Sequence, residues 1–231
     1  MPTGTITALT AQEHDPQRVN VFIDGTFALG VSLNTLAREG LYVGHVLDAT
    51  HWDRLEMSER ADRALYAAMR QLSTRPRSMA EIRDYLGRKG YPPEVIDATV
   101  DRLVDLGMLD DAAFARFWVE NRRTFRPRGA LALRNELRRK GVERDTIEAT
   151  LTEEAAEADN DEGRSALALA RTALRKYADA PDKPTFQRRL GGYLQRRGFT
   201  VSTIMPILDQ LWHELRDQAN EQEAHTVAGE S

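Results

Sequence analysis

The chain opens with residues that alternate between apolar and polar. Ile6 and Ala8 are followed by Val19, Val21 and Ile23, then Asp24-Gly25, then Phe27, Leu29 and Val31. Period-two alternation is the mark of a half-buried strand, and Asp-Gly between two such runs suits a type I′ turn, which needs positive φ at both central positions. The pattern predicts a small antiparallel hairpin or sheet over residues 1–47, ending in a short helix from near Ser32. A sheet of this size is marginal alone, so it is expected to pack on the helices that follow. From His51 to Leu72 the period changes to that of a helix. Ser73 to Ser78 then breaks the pattern, because Pro76 has no N–H and pushes Arg75 out of helical geometry. Ser78 and Glu81 form a capping-box pattern that restarts the helices.

Beyond Ser78 the chain repeats itself. Three segments align without gaps: IRDYLGRKGYPPEVIDATVDRL from Ile82, LRNELRRKGVERDTIEATLTEE from Leu133 and LGGYLQRRGFTVSTIMPILDQL from Leu190. In each, an apolar residue stands eight positions before a glycine and a leucine four before it, on one helix face. Gly90, Gly141 and Gly198 fall where a helix should end in a left-handed residue. Ile96, Ile147 and Ile204 then open a second amphipathic helix. A third helix is predicted from Asp111 to about Arg123 in the first repeat and from Glu162 to Tyr177 in the second. The resulting expectation is a mainly α protein, in which tandem three-helix repeats form an elongated curved array behind the N-terminal sheet segment. Its boundaries would be 48–77 for a connecting helix and linker, 78–126, 127–180 and 181–219 for the repeats (the last incomplete), and 220–231 for a polar, frayed tail.

Composition narrows the chemistry. There is no cysteine, which removes disulfides, thiolate metal sites and cysteine nucleophiles. No apolar run approaches the roughly 18 residues of a membrane helix, and the N-terminus lacks a secretory pattern, so a cytoplasmic protein with no membrane partner is expected. The five histidines are scattered, with no metalloprotease spacing. Neither a phosphate loop nor a nucleophile elbow appears, so no enzyme activity, cofactor or metal is expected. Asp110-Asp111 reads as a helix cap rather than a metal or catalytic pair.

Charge adds a different signal. The net charge is −4, against simple coating of DNA. Yet Arg122 to Lys140 holds eight basic residues against Glu136 alone, and Glu143 to Glu162 holds nine acidic residues against Arg144 alone. Candidate contacts are the cluster Arg122, Arg123, Arg126 and Arg128, together with Arg88-Lys89, Arg138-Arg139-Lys140 and Arg196-Arg197 at the predicted helix ends. Four arginines exceed what one helix end needs, which favours partner contact. The basic pairs are equally explained by compensation of the helix dipole. Phe114, Phe117 and Trp118 could stack on bases, but aromatics at helical spacing read as core. Tyr91 is assigned to closing its helix end.

The segment RPRSMAEIRDYLGRKGYPPEVIDATVDRLVDLGMLDDAAFARFWVENR from Arg75, with PRG at Pro127 and ELRRKGV at Glu136, resembles the RecX family of recombinase regulators. The resemblance covers roughly residues 60 to 215. It departs from the repeat pattern at Gly191-Gly192, where the other repeats carry Arg83-Asp84 and Arg134-Asn135. It implies tandem three-helix repeats that bind the RecA filament on DNA and restrain its ATPase, strand exchange and coprotease activities in recombination and DNA repair. The implied partner is the RecA filament, with single- or double-stranded DNA inside it, and the expected state is a monomer. The competing reading is a direct DNA-binding helical module that grips phosphates through its arginine cluster.

Overall fold

The computed structural model describes residues 3–156 and 162–229. Contacts divide it into two compact units, Met1–Leu109 and Asp110–Ser231.

The first unit begins with β1 (Gly4–Gln12), β2 (Asp15–Ile23) and β3 (Thr26–Ser32), followed by α1 (Leu33–Arg38) and β4 (Val46–Leu47). The strands form one antiparallel sheet in the order β3-β2-β1-β4. The Asp-Gly turn is as expected: Asp24 and Gly25 have φ of 47° and 82°. One inward position differs. A bulge between Val21 and Phe22 shifts the β2–β3 register, so Phe27 is 55% exposed against the edge of the Phe22 ring while Val31 remains buried.

Helix α2 (Ala49–Leu72) starts on the Asp48 carboxylate, which accepts from the amide of His51 at 2.8 Å. It is more than a connector, because it serves two cores. Trp52 and Leu55 in its first half pack beneath the sheet with Ile6, Val21 and Leu47. Ala64 and Ala68 in its second half pack with Ile82 and Leu86 of α3 (Met79–Arg88) and with Val100 and Leu103 of α4 (Pro93–Asp105). The small alanines let these helices come close. Ser78 caps α3, its hydroxyl accepting from the amide of Glu81 at 3.1 Å, and Arg75 grips the Glu81 carboxylate with two nitrogens.

The second unit continues with α5 (Asp111–Phe125), α6 (Ala130–Arg139) and α7 (Arg144–Ala156), whose core joins Phe114, Ala115 and Val119 to Leu133, Leu137 and Ile147. Helices α8 (Glu162–Leu174), α9 (Lys183–Arg196) and α10 (Val201–Gly229) share a further core around Phe186, Leu190, Ile204 and Leu211. The cores therefore group the helices as α2–α3–α4, α5–α6–α7 and α8–α9–α10. This corrects the repeat boundaries drawn at 78, 127 and 181. The helix read as closing each repeat opens the next one, and the third repeat is complete because α8 belongs to it. The aligned segments are the second and third helices of each trio, and the variable first helix carries no alignable motif. Helix α10 also runs through the stretch from Asn220 that was expected to fray.

Gly90, Gly141 and Gly198 have φ of 83°, 77° and 88°, and the following amides of Tyr91, Val142 and Phe199 donate back to Leu86, Leu137 and Leu194. This is the Schellman closure, and Val142 and Phe199 are buried as its apolar partner. Arg83 meets Asp97 at 3.4 Å, and at the matching position Arg134 meets Glu148 at 2.6 Å. Gly191 occupies that position in the last trio. A Cβ there would stand 3.1 Å from Leu208, so loss of the arginine lets α10 lie close on α9.

Candidate functional site

In the second unit, the loop before α6 and the end of α9 are brought together by backbone. The Gly129 amide donates to the Arg197 carbonyl at 3.0 Å, and a Cβ on Gly129 would overlap the Gly198 carbonyl. Glycine is needed on both sides of this crossing, at Gly198 also for its positive φ. The crossing places Arg196 beside the outward stripe of α6, and a groove of about 450 Å³ opens between them. Arg128, Arg138, Arg139 and Arg196 line it with Ala132, Asn135 and Glu136.

Four expected contact residues thus converge. Arg138, Arg139 and Arg196 are exposed in the last turns of their helices and form no ion pair among the described residues. The Arg128 Nε lies 3.7 Å from Glu136, is buried and lacks a hydrogen-bond partner, which leaves one strong donor unused at the groove wall. The pairing of Arg134 with Glu148 draws that cation off the groove, and the hydrogen bond from Arg134 holds the Glu148 carboxyl below its ordinary range.

The other expected residues are placed differently. Arg122 stacks on the Trp118 ring, 4.2 Å from its centroid, and its Nε donates to Glu136 at 2.7 Å. The Trp118 indole donates to the same carboxylate oxygen at 2.9 Å, and Lys140 covers the ring at 4.9 Å. Arg123 pairs with Glu154. These two arginines therefore staple α5 to α6 and α7. Arg126 is exposed at the end of α5 and has no ion pair among the described residues. Arg197 lies over Tyr193 at 5.1 Å. Arg88 and Lys89 end α3 in the first unit, both exposed, with the Lys89 ammonium 6.0 Å from the Tyr85 ring centroid. Of the aromatics, Phe114 is core and Trp118 half-buried, whereas Phe117 is 38% exposed and departs from the core assignment.

Sequence reasoning missed Ala132, Asn135 and Glu136. Their signal was the stripe of polar Asn135, Glu136 and Arg139 with the small Ala132, away from the apolar Leu133 and Leu137. Among the described residues no group of histidines and carboxylates could hold a metal, and no helix is long and apolar enough to cross a membrane.

A small sheet followed by three-helix units is the architecture of a family of regulatory proteins. Four family models match in order: the RecX N-terminal domain over residues 4–48, and the first, second and third RecX three-helix domains over 64–103, 110–151 and 161–208. The chain is 31% identical over 219 residues to the regulatory protein RecX of Bacillus subtilis, covering 95% of this chain and 81% of that one. With the Mycobacterium avium protein of the same name it shares 38% over 149 residues, 64% of this chain and 84% of that one. A crystal structure of regulatory protein RecX superposes with a TM-score of 0.74 at 24% identity, covering 90% of this chain and all of that one. The chain belongs to the RecX family. The three matched helical domains follow the helix trios defined by the cores.

Proposed function

We propose that this chain is a non-enzymatic, monomeric, cytoplasmic regulator that binds the RecA filament on DNA and inhibits its ATPase, strand-exchange and coprotease activities. Family membership supports regulation of the recombinase. The observation that carries the contact is the convergence of Arg128, Arg138, Arg139 and Arg196 on one groove in a chain of net charge −4. Arg138, Arg139 and Arg196 have no acidic partner among the described residues, and Arg128 keeps an unused Nε donor beside Glu136. This favours an anionic surface, and an otherwise acidic protein is repelled from bare DNA elsewhere. Arg126, Arg88, Lys89 and Arg197 are supplementary contacts, while Arg122, Arg123 and Lys140 hold the groove's supporting helices.

The test is the single-stranded-DNA-dependent ATPase of RecA, titrated with the protein at substoichiometric amounts and two salt concentrations. Inhibition well below one chain per recombinase monomer supports filament binding. The same groove also favours a second reading, direct phosphate binding by a DNA-binding module. Unchanged ATPase, with binding to bare DNA that disappears at higher salt, would select it.

A further inference from the structure

The first unit holds a separate cleft of about 540 Å³, framed by β2, the start of α1, α2 and the end of α3. Its base is fixed. The Glu59 carboxylate, 2% exposed, accepts from Arg18 at 2.6 Å, from Arg63 at 2.7 Å and from the Ser32 amide at 2.8 Å. Asp62 is held by the Ser32 and Thr35 hydroxyls at 2.7 Å each, and Asp15 accepts from the Gln17 amide at 3.0 Å. Charges committed in this way leave the cleft pre-formed, so a ligand meets little ordering cost.

What remains uncommitted is of two kinds. Leu33, Tyr66 and Met69 are 40%, 66% and 37% exposed. Arg70 and Lys89 line the same cleft and form no ion pair or side-chain hydrogen bond among the described residues. Asp15 is a lining carboxylate without an ion pair among the described residues, and the two free cations outnumber it, so the available surface is apolar with a positive edge.

We infer that this cleft docks an acidic polypeptide segment, whose apolar side chains pack on Leu33, Tyr66 and Met69 while its carboxylates meet Arg70 and Lys89. Charge complementarity selects the sign of the partner. The aliphatic and thioether character of Leu33 and Met69 selects its class, since these groups suit peptide side chains. A nucleic-acid strand instead calls for a continuous row of free cations and successive free rings. Here Arg18 and Arg63 are held by Glu59, and Tyr85 and Tyr91 are half-buried against the core of α2, α3 and α4, which leaves Tyr66 as the exposed ring of the cleft. The inference concerns the first unit and shares only Lys89 with the contacts proposed above, so it does not depend on the arginine groove of the second.

The experiment uses the full-length protein and a fluorescein-labelled peptide in which a leucine-phenylalanine pair precedes a run of glutamates, followed by anisotropy. Saturable binding is expected. The double variant Arg70→Glu/Lys89→Glu should weaken it about tenfold or more, and Tyr66→Ala/Met69→Ala by a similar factor. All four side chains are exposed, so the melting curves should match the parent. A charge-matched control at Arg102 of α4 and Arg116 of α5, both exposed and outside the cleft, Arg102→Glu/Arg116→Glu, should keep parental affinity. Absence of saturable binding would overturn the inference, as would equal losses in the control. It also fails if the glutamine version of the peptide binds as well, or if labelled oligothymidylate binds the parent more tightly than the peptide and loses affinity in the Arg70/Lys89 variant.

Discussion

Gly198 and Ala132 touch so closely that a methyl group on the glycine would overlap both the Ala132 Cβ and its backbone nitrogen. With φ of 88°, Gly198 also has a backbone that side chains resist. This contact sets where Arg196 stands relative to Arg138 and Arg139. Gly198→Ala should therefore cost about 3 kcal/mol in urea unfolding, from overpacking and strain together. Anion binding by the groove should fall with it, and a stability within about 0.5 kcal/mol of the parent would show that the crossing is not tight.

The arginines of the basic block separate into two sets by what they touch. Arg122 stacks on Trp118 and bonds Glu136, so Arg122→Ala should lose about 1–2 kcal/mol of stability. Arg138→Ala/Arg139→Ala/Arg196→Ala removes exposed side chains and should stay within about 1 kcal/mol of the parent in thermal unfolding. Yet it should lose most of its affinity for the RecA filament and show a flatter salt dependence. If the triple variant bound the filament normally, the groove would not be the contact.

Much of this was readable from local rules. Asp24-Gly25 and the three helix-ending glycines announce themselves because their conformations are open to few residue types. The helix trios were not readable, since which neighbour a helix packs on depends on tertiary contact. Period alone could not say that Phe114 on α5 would join Leu133 and Ile147. The short β4 was hidden because its two residues, Val46 and Leu47, hold no alternation to detect. For the basic cluster, sequence gave the density of charge but not its partners. Arg122 meets Glu136 fourteen positions away and Arg123 meets Glu154 thirty-one away, separations that no spacing rule within a helix covers.

Glu59 offers a test of how the sheet is attached to α2. Its carboxylate ties Arg18 of the sheet, the Ser32 amide and Arg63 of its own helix while almost fully buried. Glu59→Gln keeps the shape but leaves two guanidinium groups without their anion, which should cost about 3 kcal/mol. Hydrogen exchange should localise the loss to β2, β3 and α1. A uniform change across both units would argue against a local tether.

Asp62 gives the unit a pH dependence with a definite sign. Partial burial pushes its carboxyl upward, but hydrogen bonds from Ser32 and Thr35 and the Arg38 guanidinium outweigh this and hold it below the ordinary 3.8. A carboxyl depressed in the folded state contributes stability that is fully present above its unfolded value and is lost as pH falls through the folded one. Asp62→Asn should therefore lower stability at neutral pH by about 1 kcal/mol, or roughly 2–4 °C in Tm. The gap between variant and parent should hold down to about pH 5 and close below about pH 4, as the parent carboxyl takes up its proton. Melting curves recorded from pH 3 to pH 7 would show this convergence, whereas a gap that widened on acidification would mean that burial, and not its three donors, governs Asp62.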